Sequence, residues 1–351
     1  MISDLLLPWY DAHKRSLPWR DIHDPYATWV SETMLQQTRV ETVLGYYARF
    51  MEAFPTLADL AAAPDEAVMK RWEGLGYYRR ARNLHKGAQQ VMADFGGVIP
   101  DDPRALKCIS GIGEYTAGAI ASIAYGRRAA AVDGNVIRVV SRVTGLREDV
   151  GIPSVRRELA QRAYDLVPED RPGDFNQAVM DLGATICTPG TPSCELCPLQ
   201  ARCNAFAEGD AEELPVLPQK TPPREDPLDV LLIYHGDRVL MRRRTETLLN
   251  GLWVFPMAEK HNSVRQLTAW IKKHLRLSAR QLSPCGEAKH IFTHRVWQMK
   301  LYETTVTEPD APAGYRFVSL SEMEQLSVPT AVRKAKAVAA AHCRQEASTE
   351  A

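Results

Sequence analysis

The chain has 351 residues, 45% of them hydrophobic, and this length predicts two or three domains that each bury a core. Its 43 basic and 43 acidic side chains cancel, so net charge neither indicates nor excludes a polyanionic partner. The start "MISDLLLPWYDAHKR" lacks a signal-peptide pattern, and no stretch reaches the ~20 apolar residues of a membrane helix. We therefore expect a soluble, cytoplasmic protein with reduced thiols.

The first part of the chain is predicted to be helical. Apolar residues recur at three- and four-residue spacing in "VSETMLQQTRVETVLGYYARFMEAF" and "VRRELAQRAYDLV". Prolines and glycines separate such segments, and no segment alternates long enough to form a sheet. Residues 1–212 are therefore expected to form an all-α domain.

The composition changes at "ELPVLPQKTPPREDP" (213–227), where five prolines predict an extended linker. Beyond it, "LDVLLIY" and "RVLMRRR" flank "HGD" and predict a β-hairpin. Further strands are expected in "HIFTHRVWQMKLYETTV" and "YRFVSL", and helices in "SVRQLTAWIKKHL" and "TAVRKAKAVAAAHC". Residues 228–343 are predicted to be an α+β domain, and 344–351 a frayed tail.

Four of the seven cysteines fall in "CTPGTPSCELCPLQARC", with the spacing Cys-x6-Cys-x2-Cys-x5-Cys. In a reduced protein such a group predicts a metal centre rather than disulfides. Zinc accepts four thiolates, usually from two Cys-x2-Cys knuckles with a longer spacer, whereas an iron–sulfur cluster tolerates uneven gaps. Both remain open from the spacing alone. The candidate ligands are Cys187, Cys194, Cys197 and Cys203.

A glycine turn lies in "LKCISGIGEYTAGAIASIAYG" (106–126), with Gly111 and Gly113 at its centre. Glycines allow a turn to approach a phosphate closely, and amides at the start of the next helix can donate to that phosphate. Such contacts position a protein on DNA without reading its sequence. An ordinary turn between helices is the alternative, but the small residues 116–119 favour a closely packed helical hairpin.

Two carboxylates have helical contexts that suit chemistry. Asp133, in "AVDGNVIRVVSRV", is expected to cap a helix and to stay ionised because the amides and the helix dipole favour the anion. Glu32, in "WVSETMLQQTRV", lies in a mostly apolar turn. Burial there would raise its pKa, which suits a general acid.

The cysteine spacing resembles the [4Fe–4S] loop of the endonuclease III family of DNA glycosylases, and residues 106–126 resemble that family's helix–hairpin–helix. The segment around Glu32 resembles adenine glycosylases of the MutY type. The resemblance implies a [4Fe–4S] cofactor, a helical barrel part at about 21–130, and an iron–sulfur part at 1–20 plus 131–212. Where the family often has Leu-Pro, this chain has Ile109-Ser110, and we expect the hairpin to persist.

The resemblance also implies roles for the acids. Glu32 protonates adenine N7, and Asp133 faces the sugar and stabilises or captures the oxocarbenium cation. Tyr115 and Asn135 arrange this site. Strand-cutting relatives carry a Schiff-base lysine where this chain has Tyr115, which cannot form an imine, so no efficient lyase activity is expected.

Lesion reading is implied for two further regions. Tyr77, in "GLGYYRRARNLH", would stack beside the base opposite adenine while Gln37 wedges into the duplex, although core packing of the tyrosines is the alternative. Arg15 and Gln177 match residues that line the adenine pocket. The complete set expected to bind DNA or bases is Arg15, Gln36, Gln37, Tyr77, Gly111, Gly113, Gln177, Phe292, Thr293 and His294.

The C-terminal domain resembles the Nudix fold of 8-oxoguanine nucleotide hydrolases, because "NGLWVFP" (250–256) matches the approach to that family's helix. The following "MAEKHNSVRQLTAWIKK" lacks the paired glutamates that magnesium needs, so we expect recognition without hydrolysis. "FTH" (292–294) resembles the Phe-Ser-His loop that contacts 8-oxoguanine, and Thr293 keeps the hydroxyl.

Together these features predict a monomeric base-excision repair enzyme on chromosomal double-stranded DNA. It would hydrolyse the N-glycosidic bond of adenine paired with 8-oxoguanine or guanine. One rival is an endonuclease III-like enzyme that removes oxidised pyrimidines. Another is a DNA-binding redox sensor without chemistry, against which the two carboxylates argue.

Overall fold

The computed structural model describes residues 1–219 and 221–349. The chain forms two compact units. The first comprises Met1–Val68 and residues 79–219, and the second comprises Met69–Tyr78 and the chain from Thr221 onward. The division near residue 220 falls inside the predicted linker, but the sequence did not indicate that Met69–Tyr78 belongs with the second unit. No described helix is both long and apolar enough to cross a membrane.

The first unit is helical, and its described residues contain no strand. A π-helix (Ile120–Ala124) directly continues the helix after the glycine turn. The helices are α1 (Ser3–His13), α2 (Pro25–Leu35), α3 (Val40–Ala53), α4 (Leu57–Ala62), α5 (Asp65–Arg71), α6 (Arg79–Asp94), α7 (Pro103–Leu106), α8 (Glu114–Ala119), α9 (Gly134–Thr144), α10 (Pro153–Leu166), α11 (Pro172–Thr185) and α12 (Asn204–Glu208).

One apolar core of this unit joins α1, α9, α10 and α11, and includes Leu6, Val140, Leu159 and Leu182. Small residues allow neighbouring segments to approach within backbone contact. A methyl group added at Gly118 would lie 2.1 Å from the carbonyl oxygen of Ala130. The hairpin helix α8 therefore packs tightly against the segment that leads into α9, as expected for residues 116–119.

Residues 30–54, whose apolar spacing predicts helix, form two helices with a break between α2 and α3. Arg80, on α6, donates hydrogen bonds of 2.9 Å to the carbonyl oxygens of Thr33 and Met34, and its guanidinium also reaches those of Gln36 and the Thr38 hydroxyl. These carbonyls at the end of α2 are thus satisfied by a side chain from a distant helix. The apolar periodicity alone could not show this break.

The second unit contains a seven-stranded mixed sheet in the order β3-β2-β1-β6-β5, with β4 paired to β1 and β7 to β2. The predicted hairpin around "HGD" is confirmed, since β1 and β2 pair antiparallel, whereas β1 and β6 pair parallel. The strands are β1 (Arg224–His235), β2 (Arg238–Arg243), β3 (Trp253–Val254), β4 (Met257–Glu259), β5 (Ser283–Ile291), β6 (Arg295–Thr305) and β7 (Tyr315–Val318).

Helices cover the sheet of the second unit: α13 (Val264–Trp270) with a π-helical end, α14 (Leu320–Gln325) and α15 (Arg333–Thr349). An apolar core on one side of the sheet includes Val230, Phe255 and Val332, and a second includes Leu231, Leu267 and Ile271. Strand β1 alternates between these two cores, because successive side chains of a strand point to opposite faces.

Two predicted boundaries differ from the structure. Strand β1 begins at Arg224, so the last four residues of the expected linker pair with β6. The first residues of the expected linker are bound to the helical unit. The carbonyl oxygen of Leu214 accepts a hydrogen bond from Arg142, and that of Val216 accepts one from the amide of Val150. At the other end, α15 includes residues 344–349 of the expected frayed tail, while 350–351 lie outside the described residues.

Candidate active site

Glu32 lies on α2, a helix whose sequence directs its start. The Asp24 side chain accepts a hydrogen bond of 2.6 Å from the amide of Ala27, and Pro25 occupies the first turn, where its missing N–H costs nothing. Every residue of α2 from Tyr26 to Met34 is buried. Glu32 is 6% exposed, so its carboxyl group is placed inside the protein.

The carboxyl of Glu32 accepts a hydrogen bond from the hydroxyl of Tyr115, at the start of α8. The pKa of Glu32 is raised to about 7, first by burial and then by the charge of Asp133, while the Tyr115 hydrogen bond and the Arg20 charge oppose the rise. Burial beside two acids also holds the pKa of Tyr115 well above its usual range. Near neutral pH, Glu32 therefore exchanges its proton readily while Tyr115 keeps its own.

Asp133 is the N-cap of α9, as expected. It accepts hydrogen bonds from the amide of Val136 at 2.7 Å and from the Asn135 side chain at 2.9 Å. Burial raises the pKa of Asp133 despite those donors, so desolvation opposes the amides that we expected to keep this acid ionised. Asp133 acts electrostatically on Glu32 and Tyr115. The fold therefore places the acids Glu32 and Asp133, a hundred residues apart in sequence, in one site.

A chain of hydrogen bonds connects Asp133 with the cysteine loop. Asn135 donates to Asp133 and accepts from Arg138 at 2.9 Å. Arg138 also donates to the carbonyl oxygens of Gly183 and Cys187, both at 2.7 Å. The acid at the start of α9 is thus fixed through two side chains to the first cysteine of the loop.

The four clustered cysteines are free and line one cavity behind α9 and α11. Arg142 directs a guanidinium N–H to the sulfur of Cys187 at 3.3 Å, and nearby backbone amides lower the pKa of Cys197 and Cys203 against the effect of burial. Across the described ranges, no three His, Cys, Asp or Glu side chains converge to hold a single metal ion. Four thiols around a cavity, with N–H donors toward sulfur, fit the donor set of an iron–sulfur cluster.

The glycine turn keeps its hairpin geometry despite the Ile109-Ser110 departure. Gly111 has a φ of +87°, and a methyl group there would lie 2.8 Å from the Cβ of Asn83, so glycine is required both for conformation and for space. The amide of Ser110, which a proline at this position would lack, donates to the Gln90 side chain at 3.0 Å. Gly113 caps α8 and has open space around it.

The residues expected in the adenine pocket lie on α11 and on the loop before α2. Arg15, on the loop, donates through Nε to Asp181 of α11 at 2.8 Å. Gln177, also on α11, is half-buried. Arg20 also binds Asp181. Sequence reasoning did not assign Arg20 or Asp181, although an acid inside the apolar run "FNQAVMDLGATIC" was an available signal.

Two side chains expected to enter DNA have left-handed backbone conformations. Gln37, exposed in the first unit, has a φ of +56°, and Tyr77, 48% exposed in the second unit, has a φ of +48°. Such conformations are uncommon outside glycine and concentrate at functional positions. Gln36, next to Gln37, is half-buried and donates to the buried Thr116 hydroxyl at 3.4 Å.

The "FTH" segment forms the tight turn between β5 and β6, where Phe292 donates its amide to the carbonyl oxygen of Arg295. The Phe292 ring packs edge-on against Trp297, which anchors the turn to the core. Thr293 and His294 are exposed. The hydroxyls of Thr293 and Tyr77 lie 3.2 Å apart, so the second unit joins these two residues that were predicted separately.

Comparison with known families gives two matched regions. Residues 30–164 match the HhH-GPD superfamily base excision DNA repair protein, and residues 229–337 match the NUDIX domain. The first match spans the segment that carries Glu32, the glycine hairpin and Asp133. The helical fold and this family match thus define the class of the helical unit, a base-excision DNA repair protein.

The relatives specify the family. The chain is 37% identical to an adenine DNA glycosylase of Mus musculus over 94% of this chain and 76% of the relative, and 36% identical to that of Homo sapiens over 94% and 72%. For the adenine DNA glycosylase of Schizosaccharomyces pombe the identity is 33%, over 92% and 86%. The chain belongs to the adenine DNA glycosylase family.

Solved structures agree on the fold of the helical unit. A thermostable thymine-DNA glycosylase matches with a TM-score of 0.54 and 30% identity, over 59% of this chain and 95% of that one. A non-covalent endonuclease III–DNA complex matches with a TM-score of 0.50 and 24% identity, over 59% and 96%. The predicted all-α glycosylase domain followed by a Nudix-like α+β domain is confirmed.

Proposed function

We propose that this protein excises adenine mispaired with 8-oxoguanine or guanine from double-stranded DNA, and that it lacks efficient strand-cutting activity. It would act as a monomer on cytoplasmic chromosomal DNA. The observation that carries this proposal is the group formed by buried Glu32 with half-buried Tyr115 and Asp133, because two acids and a phenol share one largely desolvated site. Desolvation strengthens the electrostatic interactions that cleavage of a glycosidic bond requires.

In the proposed reaction, adenine leaves the duplex stack at a cost of a few kcal/mol. Protonated Glu32 transfers its proton to N7, and the bond between the sugar C1′ and N9 breaks with its electron pair moving to the base. Asp133 stabilises the resulting oxocarbenium cation, or forms a covalent bond to C1′ that water later breaks. Ionised Glu32 then takes a proton from the attacking water, which restores the acid.

Two neighbouring side chains orient the acids for this reaction. Tyr115 remains protonated and orients Glu32 through its hydroxyl, and Asn135 orients Asp133 through its side-chain amide. Neither side chain can form an imine with an abasic sugar, and the position that carries a Schiff-base lysine in strand-cutting relatives holds Tyr115. The proposed product is therefore an intact strand with an abasic site.

Cys187, Cys194, Cys197 and Cys203 would hold a [4Fe–4S] cluster, which when bound supplies four metal–thiolate crosslinks to a loop with little helix or core of its own. Arg138 and Asn135 connect the first of these cysteines to Asp133. An ordered loop would therefore also hold Asp133, the acid proposed to face the sugar, in a fixed position.

DNA contacts are proposed for the residues that the fold leaves accessible. The hairpin at Gly111 and Gly113 would meet a phosphate, and Gln37 would fill the space left by the extruded base. In the second unit, Tyr77 would stack beside the base opposite adenine while Thr293 and His294 read that base. Because the adenine itself is undamaged, the enzyme can select it only by recognising the base opposite.

Single-turnover excision from synthetic duplexes that differ only in the base facing adenine tests the proposal. We expect adenine release opposite 8-oxoguanine and guanine, and much slower release opposite thymine. Strand breaks should appear only after alkali treatment. Release of oxidised pyrimidines instead would support the endonuclease III-like rival, and mismatch binding without base release would support the sensor.

A further inference from the structure

We propose that Arg80 is a positioning residue for Gln37, because it holds the chain after α2 in the conformation that presents the Gln37 side chain to DNA. This inference rests on the proposed function, in which Gln37 fills the space left by the extruded base. Arg80 lies on α6 of the first unit, and no sequence motif assigned a role to it.

Gln37 occupies a position at which helices commonly have glycine. Helix α2 ends at Leu35 with Gln36 as its C-cap, so Gln37 is the first residue beyond the cap. Glycine is favoured there because the chain often turns left-handed, a conformation that a Cβ atom makes unfavourable. Gln37 adopts this conformation with a φ of +56° and keeps its side chain exposed. A glutamine in this conformation requires surrounding contacts that hold its backbone.

Arg80 supplies such contacts on both sides of Gln37. Its guanidinium donates to the carbonyl oxygen of Gln36, the residue before Gln37, and to the hydroxyl of Thr38, the residue after it, at 3.2 Å. The Thr38 hydroxyl donates in turn to the Gln36 carbonyl oxygen at 3.3 Å. These three groups form a closed set of hydrogen bonds around the Gln37 backbone, and two of the bonds have a charged donor, which strengthens them.

The Arg80 guanidinium is itself held in place. It also donates to the carbonyl oxygens of Thr33 and Met34, both at 2.9 Å, so it lies at the carboxyl end of α2, where the helix dipole favours a cation. Helix α6, which carries Arg80, packs directly on α2, since a methyl group added at Gly87 would lie 2.7 Å from the Trp29 ring. The donor that fixes the turn therefore comes from an element that cannot easily move away from it.

The test is a stopped-flow measurement of base unstacking by the full-length protein. The probe duplex carries 2-aminopurine in place of adenine, opposite 8-oxoguanine, and its fluorescence rises as the base leaves the stack. We expect Arg80→Met to slow this rise about tenfold, the scale of losing hydrogen bonds to a charged group. Arg80→Lys should also slow it, because an ammonium group cannot span the acceptors that the guanidinium joins. Lys86→Met, an exposed change on the same helix, is the matched control and should keep the wild-type rate.

A double-mutant cycle separates positioning of Gln37 from general support of the fold. Gln37→Ala should slow the fluorescence rise by itself, and Arg80→Met should cause no further loss in that background, because both changes remove the same wedge. An arginine that only supported helix packing would slow the rise by the same factor in both backgrounds. A wild-type rate for Arg80→Lys would assign Arg80 a charge contact with DNA and overturn the positioning role.

An unchanged rise in a folded Arg80→Met variant, or in Gln37→Ala, also overturns the inference. If Arg80→Met does not fold, Thr38→Val serves instead, because it removes the hydroxyl from the closed set of hydrogen bonds. That variant should slow the rise about threefold, and a wild-type rate would count against the role of Arg80. Failure of the proposed function is separate, since the wild-type protein would then release no adenine from a duplex with 8-oxoguanine opposite.

Discussion

The site around Glu32 and the turn at 292–294 differ in how far their polar side chains are exposed to solvent. Glu32 is 6% exposed and bonded to Tyr115, whereas Thr293 and His294 are exposed at the tip of a strand pair. A buried acid gains an altered pKa and a fixed geometry, which proton transfer requires. Exposed hydroxyl and imidazole groups keep free hydrogen-bonding capacity for a partner.

The two regions also differ in how their geometry is held. Hydrogen bonds from the protein itself orient Glu32 and Asp133, and the Arg138 network extends this support to the cysteine loop. The turn at 292–294 is held by the Phe292–Arg295 backbone hydrogen bond, by the packing of Phe292 on Trp297, and by the hydroxyl pair between Thr293 and Tyr77. We therefore expect large losses from changes in the first region and graded changes in selectivity from the second.

The largest effect is expected at Glu32. Glu32→Gln keeps an acceptor for Tyr115 but has no proton to give, so excision should fall by about 10²–10⁴-fold while mismatch binding persists. Single-turnover base release and a gel-shift titration on the same duplex measure both quantities. Glu41→Gln, an exposed change on α3, is the control and should excise normally. Retained excision by Glu32→Gln would remove this residue from the mechanism.

The cysteine loop is the next point at which to test the comparison. Cys197→Ser should lose the visible absorbance of an iron–sulfur cluster and its DNA binding, because the loop then lacks one of its four crosslinks. Cys285→Ser, at a half-buried free cysteine of β5 in the second unit, should change neither property. A colourless Cys197→Ser protein with full activity would contradict the structural role of the loop.

The pH dependence of excision should follow Glu32. Since burial raises the pKa of Glu32 to about 7, the acid is protonated below that pH and loses its proton above it. The single-turnover rate should therefore fall by about tenfold for each pH unit well above 7, and Glu32→Gln should abolish this limb. A rate that stays constant from pH 6 to 9 would show that chemistry does not depend on this proton.

The smallest effect is expected at Tyr77, beside the turn at 292–294. Tyr77→Phe keeps the stacking ring but removes the hydroxyl that meets Thr293, a neutral hydrogen bond worth about 1 kcal/mol. The preference for 8-oxoguanine over guanine opposite adenine should drop about fivefold, with little change in the maximal rate. Tyr164→Phe, in the helical unit, serves as the control. An equal loss of rate on both duplexes would assign Tyr77 to general DNA binding instead.

Much of this protein could be predicted from local sequence patterns. Apolar periodicity predicted the helical first part, and a proline-rich change of composition marked the start of the α+β domain. Residues that act through their own neighbours were also readable, as with Asp133, whose side chain caps the helix that begins beside it. Cysteine spacing predicted a metal-binding loop, because ligands within one short segment are constrained by the chain itself.

Only the tertiary structure decided which distant groups interact. Arg80 ends α2 from another helix, Asp181 holds two arginines more than 160 residues away, and Tyr77 meets Thr293 across 216 residues of sequence. The desolvation that raises the pKa of Asp133 could not be read from the sequence for the same reason, because the cap is local but burial is not. Electrostatics and desolvation depend on distance through space, and sequence order records that distance only for neighbours along the chain.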